Sequence, residues 1–152
     1  TLTSGGPTIS GISVASGEDE SRVLRIAAGL EARSNHPYAS TIIQEAEKRS
    51  LRPRSVTKIE DGDAGVLGVH RGDSVMLGRA DWLRSQQVSI SSEINEALDE
   101  SGIAGKGASV LSVDGSAVAV ISFAHDDARE GVLETINELD NHGVKVEILS
   151  GD

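Results

Sequence analysis

The chain has 152 residues, of which 14 are Lys or Arg and 24 are Asp or Glu, so its formal net charge is −10. This charge predicts that neither nucleic acid nor an anionic membrane surface is a partner, because phosphate groups would be repelled. The absence of cysteine excludes disulfides, thiolate metal sites and cysteine nucleophiles. Only Tyr38, Trp82 and Phe123 are aromatic, so we expect an aliphatic core and no binding site made of stacked aromatic rings.

The first half of the chain predicts a strand, two helices and three shorter strands. Weak alternation indicates a strand at residues 8–14, and apolar periodicity indicates a helix over 16–33 that Ser16 would cap. Pro37 suits the first position of a second helix, which ends near residue 49. Three short strands follow, the last two of them joined by a hairpin turn at Arg71-Gly72-Asp73. These strands are predicted at residues 55–59, 65–70 and 74–77.

The second half predicts two short helices, a hairpin and a final helix and strand of a different kind. The helices cover 80–85 and 92–101, and the hairpin turns at Asp114-Gly115 between strands 108–113 and 116–123. The final helix and its continuous apolar strand are typical of a parallel α/β sheet, whose strands are buried on both faces. That helix and strand are predicted at 126–142 and 144–149.

This pattern predicts an α+β fold in which helices flank an antiparallel β-sheet, followed by a fragment of an α/β domain. The longest apolar stretch, within residues 117–124, is far shorter than the ~20 residues that cross a bilayer, so we expect no membrane insertion of this segment. Both ends have the composition of a chain cut from a longer protein. The domain boundaries that follow are 1–7, 8–123 and 124–152.

Two segments could carry chemistry. In the first, residues 31–39, Pro37 disfavours the helical conformation for His36, so the imidazole projects from a rigid turn. Taken alone, the pattern favours an ordinary loop histidine over a ligand-binding one. In the second, residues 61–68, glycines beside a strand would let the backbone approach a flat ligand, although a bulged strand entry explains them too. No G-x-G-x-x-G and no P-loop motif occurs, so neither a dinucleotide fold nor a phosphate-binding loop is predicted.

Seven short motifs are distributed along the chain, and it is their combination and order that carry information. They are TLT at residues 1–3, SNHPYA at 34–39, DAGVLG at 63–68, VMLG at 75–78, VLSVDG at 110–115, DDAR at 126–129 and SGD at 150–152. Together they resemble the cytoplasmic nucleotide-binding domain of a heavy-metal-transporting P-type ATPase, with the flanking edges of its phosphorylation domain. The His-Pro motif is the most specific element, because it distinguishes heavy-metal pumps from other P-type pumps. The resemblance covers the whole chain.

The resemblance implies a nucleotide-binding site in which Glu31 and His36 contact adenine and Gly65 lets the backbone close around it. Asp63 stands where the family has its first glycine, and Gln86 stands where some members have an Asn near the nucleotide. A third departure is Asn35 in place of the usual motif Glu. Aliphatic walls are expected from Val66 and Val110.

The function implied is that of a cytoplasmic domain of an integral membrane pump for heavy-metal cations. It would bind ATP, with Mg²⁺ accompanying the nucleotide, and would work with the phosphorylation and actuator domains of the same pump. The resemblance places the phosphorylated aspartate before Thr1, so no catalytic residue and no metal ligand is expected within this chain, and the isolated chain should not hydrolyse ATP.

Two alternatives remain open. One is a degenerate, nucleotide-independent regulatory or interaction domain of such a pump, which Asn35, Asp63 and Gln86 favour. The other is a phosphatase fragment of the haloacid dehalogenase type, although the nucleophile motif D-x-D-x-[TV] does not occur in the sequence.

Overall fold

The computed structural model describes residues 7–103 and 107–124, which form a six-stranded sheet with two helices on each face. The unit is compact from Pro7 to Ala124. Its elements, in chain order, are β1 (Thr8–Val14), α1 (Glu20–Glu31), α2 (Pro37–Lys48), β2 (Thr57–Asp61), β3 (Gly65–His70), β4 (Asp73–Gly78), α3 (Ala80–Ser85), α4 (Ser92–Ile103), β5 (Gly107–Val113) and β6 (Ser116–Ala124).

The sheet is antiparallel throughout, with the strand order β1-β6-β5-β4-β3-β2. Two-residue turns close the β3–β4 and β5–β6 hairpins, and both residues of each turn have positive φ: 50° and 83° at Arg71-Gly72, and 53° and 81° at Asp114-Gly115. Such turns match the right-handed twist of the strands they join. The predicted α+β class and both predicted hairpins are confirmed.

The two faces of the sheet carry separate apolar clusters. Helices α1 and α2 cover one face, where Leu24, Leu30 and Phe123 are fully buried. Helices α3 and α4 cover the other, where Leu83, Ile94 and Val110 are buried. The core is aliphatic apart from a few aromatic rings, as the composition predicts.

The start of α1 differs from the prediction. The helix begins at Glu20 and its N-cap is Asp19, whose carboxylate accepts a hydrogen bond from the Ser21 amide at 3.3 Å. Ser16 does not cap it, because its amide and hydroxyl both donate to the Glu93 carboxylate of α4, at 3.3 and 3.2 Å. The residue predicted to cap the helix is therefore hydrogen-bonded instead to Glu93, which lies 77 positions away in the chain.

The predicted helix at 126–142, the strand at 144–149 and residues 1–6 lie outside the described residues, so the domain boundaries 1–7, 8–123 and 124–152 stay a prediction. Within the described ranges, none of the helices is long and apolar enough to cross a membrane.

Two glycine-to-alanine changes test how α1 packs. A Cβ at Gly29 in α1 would collide with the Arg54 carbonyl oxygen and lie 3.0 Å from a Val56 methyl, whereas a Cβ at Gly102 in α4 would meet nothing within 4 Å. We expect Gly29→Ala to lower the free energy of unfolding by about 1–3 kcal/mol. Gly102→Ala should raise it by about 0.5 kcal/mol through helix propensity. Urea unfolding measures both, and equal stabilisation by the two changes would contradict the tight packing at Gly29.

Candidate functional site

A surface cavity of about 390 Å³ lies where the end of α1 meets the sheet. Its walls come from Glu31 at the end of α1, the loop and first turn leading into α2, the β2–β3 loop, the end of β4 and the start of β5. Of the residues predicted to bind nucleotide, Glu31, His36, Asp63 and Gly65 lie together in this lining. Segments that are far apart in the chain therefore converge on one concave surface.

Glu31 is the most unusual group in the cavity. Its side chain is buried, with only 7% of the residue exposed, and its Oε2 atom has no hydrogen-bond partner. Burial raises the pKa of this carboxyl to about 7; a hydrogen bond with Ser34 opposes the shift and the nearby charge of Asp61 adds to it. A buried acceptor without a partner is costly, so a hydrogen-bond donor from a ligand would stabilise it.

His36 is fixed by the helix that follows it. It is the N-cap of α2, with extended backbone (φ −64°, ψ 140°), and its Nδ1 accepts a hydrogen bond from the Tyr38 amide at 3.1 Å. Pro37 occupies the first helical turn, as predicted. Because Nδ1 acts as an acceptor, the neutral ring carries its proton on Nε2, which leaves that N–H as a donor for a ligand.

Tyr38 lines the same cavity and does not follow from the sequence argument. Its ring stacks on Phe123 with centroids 3.8 Å apart and planes 2° apart, and it lies 5.1 Å from the His36 ring. Burial raises the pKa of the Tyr38 phenol. A Cβ at Gly107 would collide with the Tyr38 hydroxyl. Two of the three aromatic residues therefore stack beside the cavity, although only Tyr38 belongs to its lining and Phe123 is fully buried.

Gly65 and Gly78 are paired across β3 and β4 and form the floor of the cavity. A Cβ at Gly65 would lie 2.5 Å from the Leu77 carbonyl oxygen and 2.6 Å from the Trp82 ring. A Cβ at Gly78 would collide with the Ala64 carbonyl oxygen and lie 2.9 Å from the same ring. Trp82 packs with the α3–α4 cluster, on the face of the sheet opposite Glu31 and Tyr38. Neighbouring backbone and the indole together thus leave no room for a side chain at either position. The cavity meets the other side of this backbone.

The remaining predicted residues lie elsewhere. Val66 is 1% exposed and packs under α1, because it follows Gly65 in the strand and takes the opposite side. Val110 is fully buried in the α3–α4 cluster. Gln86 is exposed at the C-cap of α3. None of the three lines the cavity, and neither valine can form its wall.

The charge around the cavity is mostly negative. Glu31, Asp61 and Asp63 line it, and Arg79 is the single cationic residue among the described lining residues. Two backbone hydrogen bonds hold the β2–β3 loop in place: Gly62 N donates to Gly65 O and Arg79 N donates to Ala64 O, both at 3.0 Å. Across the described part of the chain, no three His, Asp or Glu side chains gather in a metal-binding group.

A family model described as haloacid dehalogenase-like hydrolase matches residues 1–152. The chain belongs to this family. A copper-exporting P-type ATPase of Legionella pneumophila is 36% identical over 155 residues, which is 100% of this chain and 20% of that protein. The chain thus spans about a fifth of the relative's length.

Solved structures agree with these matches. A zinc-transporting PIB-type ATPase in its E2.Pi state has a TM-score of 0.77 at 27% identity, covering 100% of this chain and 24% of that one. The N-domain of HMA8, a copper-transporting P-type ATPase, has the same fold, with a TM-score of 0.66 at 24% identity over 77% of this chain and 99% of that one. The resemblance to heavy-metal P-type ATPases, and the fold it implies, are confirmed.

The raised pKa of Glu31 gives a pH-dependent stability that Glu31→Gln should remove. The folded protein holds the Glu31 proton up to about pH 7, whereas the unfolded chain releases it near 4.5. The wild-type fold should therefore lose stability relative to Glu31→Gln as the pH rises from 4.5 to about 7, by about 3 kcal/mol in all, and should lose no more above that range, where both states have released the proton. Urea unfolding at several pH values measures this difference.

The matched control is Glu96→Gln on the exposed surface of α4. Its stability should follow the wild type at every pH. If Glu31→Gln also stayed parallel to the wild type between pH 4.5 and 8.5, the buried carboxyl would not be titrating as described.

Proposed function

We propose that this chain is the nucleotide-binding domain of a heavy-metal P-type ATPase and that the cavity at the end of α1 holds the adenine of ATP. The parent protein would be an ATP-driven translocase of the membrane, with this domain on its cytoplasmic side. The observation that carries the proposal is the Glu31 Oε2 atom, which is buried in the cavity without a partner.

Adenine fits the chemistry of this lining. Its exocyclic amine can donate to the Glu31 oxygen, and a ring nitrogen can accept from the Nε2–H of His36. The Tyr38 ring offers a face for the purine, held in place by Phe123. Gly65 and Gly78 present backbone without side chains towards the cavity, which favours close contact with a flat ring.

The phosphates would be held more weakly than the base. Arg79 is the only cation among the described lining residues, and Asp61 and Asp63 would repel a triphosphate. The triphosphate is therefore expected to extend away from this domain, which suits delivery of the γ-phosphate to an aspartate in the phosphorylation domain. Mg²⁺ would arrive with the nucleotide, and its protein ligands would lie mostly outside this chain.

The isolated chain is proposed to bind ATP without hydrolysing it. The nucleophilic aspartate of the family is the first residue of the motif whose last three residues match Thr1-Leu2-Thr3, so the group that accepts the phosphoryl is not in this sequence. Two or three hydrogen bonds and one buried ring correspond to a Kd of roughly 0.1–1 mM.

Asp63 favours a second candidate, a regulatory domain that has lost nucleotide binding. Its carboxylate lies in the lining of the cavity, in the position of the family's first glycine. Such a domain would bind the other domains of the pump without binding a nucleotide. Adenosine separates the two candidates, because it carries no phosphate that Asp63 could repel.

His36→Asn tests the imidazole without losing the helix cap, because Asn is among the best N-cap residues. We expect the variant to fold like the wild type and to bind adenosine roughly fivefold more weakly, the effect of one lost hydrogen bond. NMR titration of adenosine into the labelled chain measures this. The control is Asp19→Asn at the N-cap of α1, outside the cavity, which should leave the affinity unchanged. Equal affinities for His36→Asn and the wild type would remove the imidazole from the site.

A further inference from the structure

A second hollow, of about 450 Å³, lies beside α1 and away from the adenine cavity. Arg25 of α1, Arg54 before β2, Arg71 of the β3–β4 turn and His70 at the end of β3 line it, and we call it the arginine cleft. None of its lining residues belongs to the lining of the adenine cavity. A concentration of cations at one place is unexpected on a chain whose net charge is −10.

The fold holds two of these arginines in place through the backbone. Arg25 Nε donates to the Arg52 carbonyl at 2.8 Å, and the Arg54 amide donates to the Arg25 carbonyl at 2.9 Å. The tight contact of Gly29 with the Arg54 carbonyl adds to this docking. The segment 52–54 is therefore fixed against α1, so the Arg25 side chain and the Arg54 backbone are already in place before a ligand binds.

Carboxylates do not neutralise this charge. Arg25, Arg54 and Arg71 take part in none of the four ion pairs found among the described residues. The Nε of Arg54 is buried and has no hydrogen-bond partner. Lost hydration lowers the pKa of Arg54, and the positive charges of Arg25, Arg71 and Arg22 lower it further. A bound anion would relieve both the repulsion and the unpaired donor.

His70 adds a fourth group to the cleft. Its Nδ1 lies 3.0 Å from the Ser55 carbonyl oxygen, an acceptor, so Nδ1 carries a proton. Nε2 is then left for a ligand and becomes a donor when the ring is charged. The residue is largely buried, which restricts the ring to one orientation.

We propose that the arginine cleft binds a multivalent phosphate-class oxyanion, of which pyrophosphate is the simplest example. Guanidinium groups match the oxygen spacing of phosphates through paired hydrogen bonds, and three arginines line this one cleft. A singly charged carboxylate would leave most of this positive charge unbalanced. The proposal does not depend on adenine binding, because the two sites share no residue.

Titration of inorganic pyrophosphate into the ¹⁵N-labelled chain tests the proposal. We expect saturable shifts of the amides of Ser55, Arg71 and Gly72, with the amides of Asp63 and Gly65 unmoved. Arg54→Gln and Arg71→Asn should each weaken binding roughly fivefold to tenfold, since each removes a charge-assisted contact at a partly exposed site. Asn suits the positive φ of 50° at position 71, so this variant should fold normally.

Arg84→Gln is the matched control. It removes the same charge from α3, on the opposite face of the sheet, and should change the affinity less than twofold. If Arg54→Gln fails to fold, Arg71→Asn decides the outcome. No saturable shift in the wild type, or equal weakening by Arg71→Asn and Arg84→Gln, would overturn the proposal.

Adenosine and ATP separate this site from the adenine cavity and identify the source of the phosphate. Adenosine should shift only amides of the adenine cavity, and its failure would count against the proposed function alone. If ATP shifts the amide signals of Ser55 and Gly72 and competes with pyrophosphate, the ligand is the phosphate tail of a nucleotide. If ATP does not compete with pyrophosphate, the ligand is a free phosphate compound.

Discussion

The burial of α1 against the sheet is the constraint on which both sites depend. Almost every residue from Val23 to the end of the helix is buried, so the helix cannot rotate or slide without exposing core. Its last residue, Glu31, is thereby carried into the adenine cavity with a carboxylate oxygen that no protein group satisfies. The same helix presents Arg25 to the arginine cleft. One packing arrangement thus positions both an acidic and a basic hollow.

The two hollows carry charges of opposite sign and therefore suit different kinds of ligand. The adenine cavity is acidic and rich in bare backbone, which favours an uncharged heterocycle over its phosphates. The arginine cleft has the opposite character and no aromatic ring other than the imidazole of His70. The Trp82 ring and the backbone around positions 65 and 78 leave no room for a side chain at either position. The floor of the cavity is therefore fixed by packing that a ligand never touches.

Much of the fold follows from local signals. Asp114-Gly115 and Arg71-Gly72 specify tight turns by themselves, and Pro37 marks the start of α2 because proline suits the first helical turn. The start of α1 could not be predicted, since Ser16 donates its hydrogen bonds to Glu93, a residue that only the tertiary structure brings close. Glu31 and His36 could be selected through the family motif, but the stacking of Tyr38 on Phe123 depends on helix and sheet meeting. Alternation along β3 places Val66 on the face of the sheet that α1 covers, but only the tertiary structure shows that the helix buries it and so removes it from the cavity.

The most direct test of the account is the measurement of intermolecular NOEs between the adenine protons of bound ATP and the chain. The account predicts NOEs from adenine H2 or H8 to the Tyr38 ring and to the α-protons of Gly65 and Gly78. Saturating ATP that gives NOEs only to residues outside the cavity, or none at all, would contradict it.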